Sequence, residues 1–216
     1  MSISLVSAFL NESESVENLY VNVNSIIDEW IVIDTGSTDG TQDKCRALGA
    51  RVFEYQSMCE LGGYGPMRTF GLRQCKCDYA LIVDGDERFL PIDLRNIKEL
   101  SADAFPYDLI WLPRMNYTDW DMRTWDNPPG HLDYQPKFVK VKSSIHWIYP
   151  VHEKICGASL ERRDPNGPFI RHFGAMKTPE RIKQVGEICG YLHRGEPCHY
   201  PMPIIPYWQE ERHGLA

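Results

Sequence analysis

The chain has 216 residues, 43% of them hydrophobic, which suits one folded domain and argues against a disordered protein. Its formal net charge is −7, whereas proteins that mainly bind nucleic acids carry a basic face, so we expect no nucleic-acid partner. No apolar stretch is long enough to span a membrane and no secretory signal opens the sequence, so we expect a soluble, cytoplasmic protein. The seven cysteines are scattered, and we expect most of them to be reduced thiols.

The first ninety residues alternate between short apolar runs and stretches with helical spacing. Strand patterns cover 3–10, 30–33, 51–55 and 79–83, and helical patterns cover 16–27, 41–49 and 67–75. This alternation predicts an α/β fold with a mostly parallel central sheet flanked by helices. In such sheets ligands bind at the edge where the carboxyl ends of the strands lie.

The second half has a different pattern. Strand patterns at 109–112 and 137–141 are separated by 116–129, a stretch rich in Trp, Asp and Pro that predicts a long loop. An amphipathic helix is predicted over 178–192, and the Pro-rich stretch 197–206 predicts an extended tail. The sequence contains no linker that would separate two domains.

Acidic residues follow the fourth strand pattern directly. The apolar run 79–83 ends at Asp84, and Asp86 and Glu87 come immediately afterwards. Carboxylates this close repel one another unless a cation lies between them, and oxygen ligands suit Mg²⁺ or Mn²⁺. An ordinary solvated acidic turn is the alternative interpretation.

Three motifs follow the strand patterns in order, and together they carry a resemblance. They are Asn11-Glu12, Asp34-Thr35-Gly36-Ser37-Thr38-Asp39-Gly40-Thr41 and Asp84-Gly85-Asp86. In sequence and spacing they resemble family 2 glycosyltransferases of the GT-A fold, whose second motif is usually DDGSTDGT. Thr35 replaces the second Asp of that motif. The resemblance extends more weakly to 138–153, which is similar to an "FR…W…HE" pattern of one subgroup.

The resemblance implies a GT-A type, Rossmann-like α/β fold with a mixed second half that forms the acceptor side. It implies one glycosyltransferase domain over 1–216, in which 1–90 bind the nucleotide sugar, 91–195 form the acceptor and catalytic half, and 196–216 form the tail. The expected reaction is hexosyl transfer from a nucleoside diphosphate donor, a UDP-sugar before GDP or dTDP sugars, to a glycan or protein hydroxyl. By resemblance the transfer inverts the anomeric configuration in one direct displacement.

The resemblance also assigns candidate site residues. Those expected to bind the nucleotide sugar are Phe9, Asn11, Glu12, Asp34, Gly36, Arg68, Asp84, Gly85 and Lys177. A Mn²⁺ or Mg²⁺ ion is expected to bridge the two phosphates. Asp86 is its expected direct ligand, Asp84 assists through the ribose or a metal-bound water, and His172 is a further candidate ligand.

Each assignment has a structural alternative. Phe9 could belong to the core, Asp34 could cap a helix, and Arg68 could form a surface salt bridge. His172 could be an ordinary core or surface histidine. Asp39 is interpreted as structural, because it precedes Gly40 and the second helical pattern. Gly36 is expected to permit a turn and a close approach to the ligand.

Glu153 is the candidate general base for the acceptor hydroxyl. The resemblance places it above Asp126 and Asp133, and a buried ion pair with Lys154 or an arginine is the alternative. Tryptophans such as Trp147 concentrate in the second half, where they could line an acceptor cleft or fill the core.

Two other functions are compatible with parts of the sequence. A nucleotidyltransferase that forms nucleotide sugars would need a glycine-rich, basic loop after the first strand, where this chain has the acidic 11–14. A non-catalytic domain that binds a nucleotide or glycan is the other alternative, and the joint presence of Asp34, Asp84 and Asp86 argues against it. The fingerprint of NAD-dependent dehydrogenases is missing its last glycine at 63–68.

Overall fold

The structure, a computed structural model, describes residues 1–102, 106–119, 122–123, 132–177 and 179–194. Within these residues the strands and α-helices, in chain order, are β1 (Ile3–Phe9), α1 (Val16–Val23), β2 (Glu29–Asp34), α2 (Thr41–Ala47), β3 (Arg51–Glu54), α3 (Tyr64–Gln74), β4 (Tyr79–Ile82), β5 (Glu87–Arg88), α4 (Pro91–Ala102), β6 (Leu109–Asn116), β7 (Asp133–Lys140), β8 (His146–Ile148), β9 (Lys154–Cys156), β10 (Glu161–Arg163), β11 (Ile170–His172) and α5 (Pro179–Arg194). The α/β class predicted from the sequence is confirmed.

The first half of the sheet is parallel, as the sequence predicts. The strand order across the sheet is β3-β2-β1-β4-β7-β6-β11-β5, and β10 also pairs with β6. Strands β3, β2, β1 and β4 all run in the same direction. Their carboxyl ends therefore meet at one edge, and this brings together the segments that follow Phe9, Asp34 and Ile82.

The second half of the sheet is mixed, and its directions decide which residues join that edge. Strand β7 is antiparallel to β4, and β6 is antiparallel to β7, so β6 runs in the direction of β4. Strand β11 is parallel to β6. The last residues of β6 and β11, Asn116 and His172, consequently lie at the same edge as the acidic residues after β4.

Alternation along the strands gives the sheet two apolar faces. Leu5 and Leu81 belong to one cluster, and Val6 and Ile82 belong to the other, which also contains Met67 of α3. Each fully buried side chain of this size contributes roughly 1.5–3 kcal/mol. Helix α3 packs tightly on the second face, since a Cβ atom at residue 71 would lie 2.7 Å from Cγ1 of Val6.

Several features differ from the sequence predictions or lie outside the described residues. Helix α4 was not predicted, nor were the short strands β5 and β8 to β11. Most of the predicted 116–129 loop and all of the predicted 197–206 tail lie outside the described residues. Cys59 is disulfide-bonded, whereas five further cysteines are free thiols, as expected. No helix in the described part of the chain combines the length and apolarity needed to cross a membrane.

Candidate active site

A cleft of about 230 Å³ opens at the edge of the sheet where β1, β2 and β4 end. Its walls include the end of β1, the loop after β4, the start of α3 and the segment between β11 and α5. The predicted site residues on these walls are Phe9, Glu12, Arg68, Asp84, Gly85, Asp86, His172 and Lys177. The fold therefore brings together residues that are up to 168 positions apart, from Phe9 to Lys177 (177 − 9).

Asp86 faces two basic side chains. Its Oδ2 atom lies 2.7 Å from Nζ of Lys177 and 3.3 Å from Nε2 of His172, and only 7% of its side chain is exposed. Burial alone would raise the pKa of Asp86, but Lys177 and His172 hold it well below its ordinary value. The carboxylate is therefore ionised at neutral pH.

Asn116 fixes the orientation of the His172 ring. Nδ1 of His172 lies 2.7 Å from Oδ1 of Asn116, and an amide oxygen can only accept a hydrogen bond, so Nδ1 is the donor. Nε2 is therefore the ring nitrogen that faces Asp86, and in a neutral ring this nitrogen has the lone pair with which a histidine binds a metal ion. A histidine whose second nitrogen is held in this way beside a carboxylate is typical of metal ligands.

Gly174 keeps the space beside these two atoms open. A Cβ atom at this position would lie 2.6 Å from Nε2 of His172 and 3.4 Å from Oδ2 of Asp86. The donor set and this space fit a divalent cation. Because the described residues contain no cluster of three or more protein ligands, a cation here would complete its coordination with substrate or water oxygens.

Asp84 is held by protein cations. The guanidinium of Arg68 donates to both of its oxygens at 3.2 Å, and Nζ of Lys137 lies 2.7 Å from Oδ2. Burial opposes the charge, yet Arg68 and Lys137 keep the pKa of Asp84 well below its ordinary value. Lys137 also binds Glu87 at 2.8 Å. With both oxygens engaged, Asp84 fits an indirect role better than direct ligation of a metal.

Arg68 also holds the candidate base. Its Nε atom donates to Oε1 of Glu153 at 2.8 Å, so one guanidinium bridges Asp84 and Glu153. Of the alternatives for Glu153, the ion pair is present, with Arg68 rather than Lys154. The Glu153 side chain is still 23% exposed.

That exposed part lines a second cavity, of about 400 Å³. Arg68 lines both cavities, and it is joined here by Lys137, His152 and the buried Trp147. Arg68 therefore lies between the two spaces, and Glu153 faces the second one. Asp126, an alternative base, lies outside the described residues, and Asp133 binds Arg114 at 2.7 Å.

The segment before Glu153 is clamped to the first turn of α3. The backbone N–H groups of Tyr64 and Gly65 donate to the carbonyls of Pro150 and Tyr149, at 2.8 and 3.2 Å. A Cβ atom at residue 65 would lie 2.5 Å from the Tyr149 carbonyl oxygen, so only glycine allows this approach. Tyr149 and His152 have φ values of 71° and 51°, which non-glycine residues rarely adopt.

Asp34 and Asn11 lie behind the cleft wall. Oδ1 of Asp34 accepts hydrogen bonds from the backbone of Gly36 and Ser37 and from the Gln42 side chain. Oδ2 of Asp34 and Nδ2 of Asn11 are buried and have no hydrogen-bond partner in the described part of the chain. Two polar atoms are thus left for a ligand that reaches this depth.

Gly36 and Asp39 shape the loop after β2. The φ of Gly36 is 102°, and a Cβ atom there would lie 2.3 Å from the Gln56 carbonyl oxygen. The predicted turn is present, and it brings the backbone of Gly36 close to that of Gln56. Asp39 is structural, as predicted, because it accepts hydrogen bonds from the backbone N–H groups of Thr41 and Ser13.

Phe9, Glu12 and Gly85 form the wall next to Asp86. Phe9 is 2% exposed and meets Trp30 edge to face at 6.2 Å, so it belongs to the core and touches the cleft with one edge. The carboxylate of Glu12 accepts a hydrogen bond from Ser15 at 2.8 Å. A Cβ atom at residue 85 would lie 3.2 Å from that carboxylate, which shows how closely the wall is packed.

Sequence reasoning missed three residues of this site, namely Asn116, Lys137 and Gly174. The role of Lys137 could have been predicted, since a lysine that precedes the apolar Phe138 and Val139 in a central strand needs a buried anionic partner. The role of Asn116 could not, because its importance follows from the pairing of β6 with β11.

Comparison with known proteins gives a consistent result. The family model "Glycosyl transferase family 2" matches residues 4–166. An "Uncharacterized glycosyltransferase" of Rickettsia bellii is 36% identical over 85 residues, which cover 38% of this chain and 28% of that protein. A "TPR repeat-containing protein" of Synechococcus elongatus is 23% identical over 195 residues, which cover 85% of this chain and 44% of that protein. The chain thus spans less than half the length of these curated relatives.

Among solved structures, S. aureus TarS 1-349 in complex with UDP-GlcNAc has a similar fold. Its TM-score is 0.59 at 15% sequence identity, and the match covers 90% of this chain and 66% of that one. At this level of identity the likeness concerns the fold alone, and it agrees with the GT-A type expected from the motifs.

Proposed function

The chain belongs to glycosyl transferase family 2, and from this premise we propose that it transfers a sugar from a nucleoside diphosphate to an acceptor hydroxyl. The observation that carries the proposal is the pair formed by Asp86 and His172, whose Oδ2 and Nε2 atoms lie 3.3 Å apart in the cleft at the ends of β1, β2 and β4. A UDP-sugar is the proposed donor, because the TarS structure with a similar fold is a complex with UDP-GlcNAc.

In this proposal Asp86 and His172 would hold Mn²⁺ or Mg²⁺ together with the donor diphosphate. A bound divalent cation would neutralise the charge that develops on the leaving diphosphate. Lys177 lines the same cleft, and its ammonium group would bind the phosphates of the donor. The unpartnered Oδ2 of Asp34 and Nδ2 of Asn11 would meet polar groups of the base or ribose.

Glu153 is the proposed base, and the second cavity is the proposed acceptor site. The Glu153 carboxylate takes the proton from the acceptor hydroxyl, and the acceptor oxygen forms a bond to the anomeric carbon of the sugar. The bond from that carbon to the diphosphate oxygen breaks at the same time, and its electron pair leaves with the nucleoside diphosphate. This single displacement inverts the anomeric centre. Arg68 positions Glu153 for the proton transfer.

The predicted division into a donor half and an acceptor half needs a refinement in this scheme. Residues 1–90 supply most of the donor cleft, but His172 and Lys177 of the second half also line it. Arg68, from the first half, lines the acceptor cavity. The two halves therefore share their catalytic wall.

The proposal is tested by measuring release of UDP from UDP-GlcNAc and UDP-glucose with Mn²⁺, first without an acceptor and then with a panel of sugars. We expect slow, metal-dependent release that falls at least about a hundredfold in Asp86→Asn. Asp43→Asn, which changes an exposed carboxylate on α2 that is 89% accessible, should keep the wild-type rate. Pyrophosphate formation from UTP and a sugar phosphate would instead favour a nucleotidyltransferase.

A further inference from the structure

One oxygen of Asp86 is shared by Lys177 and the candidate cation position. Oδ2 lies 3.3 Å from Nε2 of His172, and it also accepts a hydrogen bond from the ammonium of Lys177 at 2.7 Å. A divalent cation held between Asp86 and His172 would use the same oxygen. Because like charges this close repel each other strongly in a buried site, Lys177 and the cation cannot both remain there.

The position of Lys177 allows its side chain to leave Asp86. It follows the short 3-10 turn Gly174–Met176 and precedes α5, and its side chain is 21% exposed. Its flexible four-carbon stem lets the ammonium reorient without any change in the backbone. Lys177 lines the same cleft as Asp86, so a diphosphate in that cleft would offer the ammonium new anionic partners.

We propose that Lys177 closes the cation position in the free protein and opens it when a diphosphate binds. This inference rests on the proposed function and adds an order of binding to it. The metal binds weakly alone and tightly with the nucleotide, because the nucleotide draws Lys177 away from Asp86. By thermodynamic linkage, the metal must strengthen nucleotide binding by the same factor.

The test is a titration of Mn²⁺ followed by the electron paramagnetic resonance of the free ion, with and without UDP. In the wild type we expect UDP to tighten Mn²⁺ binding by about tenfold or more. Lys177→Met should bind Mn²⁺ about tenfold more tightly than the wild type when UDP is absent, and it should lose most of the gain on adding UDP. Lys177→Gln provides a second variant that keeps a polar end.

Lys183→Met is the matched control, because Lys183 lies on α5 with a side chain that is 78% exposed. It should bind Mn²⁺ like the wild type in both conditions. Unchanged Mn²⁺ affinity in both Lys177 variants, with UDP still binding to the wild type in the presence of Mn²⁺, would overturn the role of Lys177 and leave the proposed function intact. A wild type that binds no UDP with Mn²⁺ would overturn both.

Discussion

Arg68 is the residue on which the two cavities depend. Its guanidinium binds Asp84 on the donor side and Glu153 on the acceptor side, and it is largely buried between them. Removing one member of a buried ion pair leaves the remaining charge without compensation, which costs far more than the pair contributes. Arg68 therefore couples the stability of the fold to the geometry of the site.

Replacing Arg68 should destabilise the protein in a graded way. Arg68→Met should lower the free energy of unfolding by about 3 kcal/mol, since Glu153 and Asp84 lose their shared partner. Arg68→Lys keeps a charge without the planar fork, so we expect a loss of about 1–2 kcal/mol. Urea unfolding measures both. The control Arg46→Met removes an exposed arginine, and a loss as large as that of Arg68→Met would contradict this explanation.

Gly174 is predicted to be essential for metal-dependent binding. A methyl group at this position would occupy the space beside Nε2 of His172. Without Mn²⁺, Gly174→Ala should therefore bind UDP about as tightly as the wild type does. Adding Mn²⁺ should strengthen its UDP binding much less than it strengthens that of the wild type. Calorimetry under the two conditions measures this difference, and an undiminished gain would place the cation elsewhere.

Asp39 gives a prediction for the dependence of stability on pH. Although burial opposes it, hydrogen bonds from Thr41 and Ser13 lower the pKa of Asp39. The unfolded state therefore binds more protons near pH 4, and stability rises with pH in that range. The contribution is complete above the ordinary carboxyl pKa of about 3.9 and is lost as pH falls through the lower folded pKa.

Asp39→Asn should consequently lower the free energy of unfolding by about 1–2 kcal/mol at pH 7 and by less at pH 3. Urea unfolding at the two pH values measures the difference between variant and wild type. The control is Asp43→Asn, which changes an exposed carboxylate in the first turn of α2. It should show no comparable effect. A deficit that does not shrink in acid would show that the charge of Asp39 is not what stabilises the loop.

Among the secondary-structure elements, the start of α3 contacts the segment before Glu153 and thereby positions that residue. The glycine-rich segment Gly62-Gly63-Tyr64-Gly65 allows the helix to begin against the carbonyls of Tyr149 and Pro150. The sequence predicted a helical pattern over 67–75, whereas the helix already begins at Tyr64. The sequence could not identify what the glycines approach, because the contacting segment lies more than eighty positions later in the chain.

Gly65→Ala should disrupt the contact between the start of α3 and the carbonyls of Tyr149 and Pro150. The added methyl group would lie 2.5 Å from a backbone oxygen, so we expect a loss of about 1–3 kcal/mol in unfolding free energy and slower sugar transfer. Gly186→Ala, in α5, is the matched control, since nothing lies within 4 Å of its added Cβ atom. It should stabilise the helix by about 0.5–1 kcal/mol. Equal effects of the two substitutions would contradict a close steric contact at the start of α3.

The elements were predictable to the extent that their pattern is local. Strands β1, β2 and β4 are buried on both faces, so largely apolar runs such as Ile3–Phe9 identify them. Helix α4 was not predicted because its apolar stripe is narrow: Leu94 and Ile97 are buried and Leu100 packs beside them, among many polar neighbours. Strands of two or three residues, such as β5 and β11, have no periodicity of their own, and pairing with neighbours defines them.

At the scale of the whole molecule, the direction of the strands assembles the site. The three motifs after β1, β2 and β4 were predictable as neighbours, because parallel strands end at one edge. The positions of Asn116 and His172 depend on β7 reversing direction between β4 and β6, and no local pattern encodes that order. The resemblance suggested His172 as a ligand, and its hydrogen bond to Asn116 became visible only in the fold.

We propose above that Asp86 and His172 form a cation site that serves a nucleoside diphosphate. The most direct measurement is a calorimetric titration of UDP into the protein with and without Mn²⁺, for the wild type and for Asp86→Ala. We predict that Mn²⁺ strengthens UDP binding by about tenfold or more in the wild type and that Asp86→Ala loses this gain. UDP binding that is equally strong with and without Mn²⁺, or a gain that survives in Asp86→Ala, would contradict the claim.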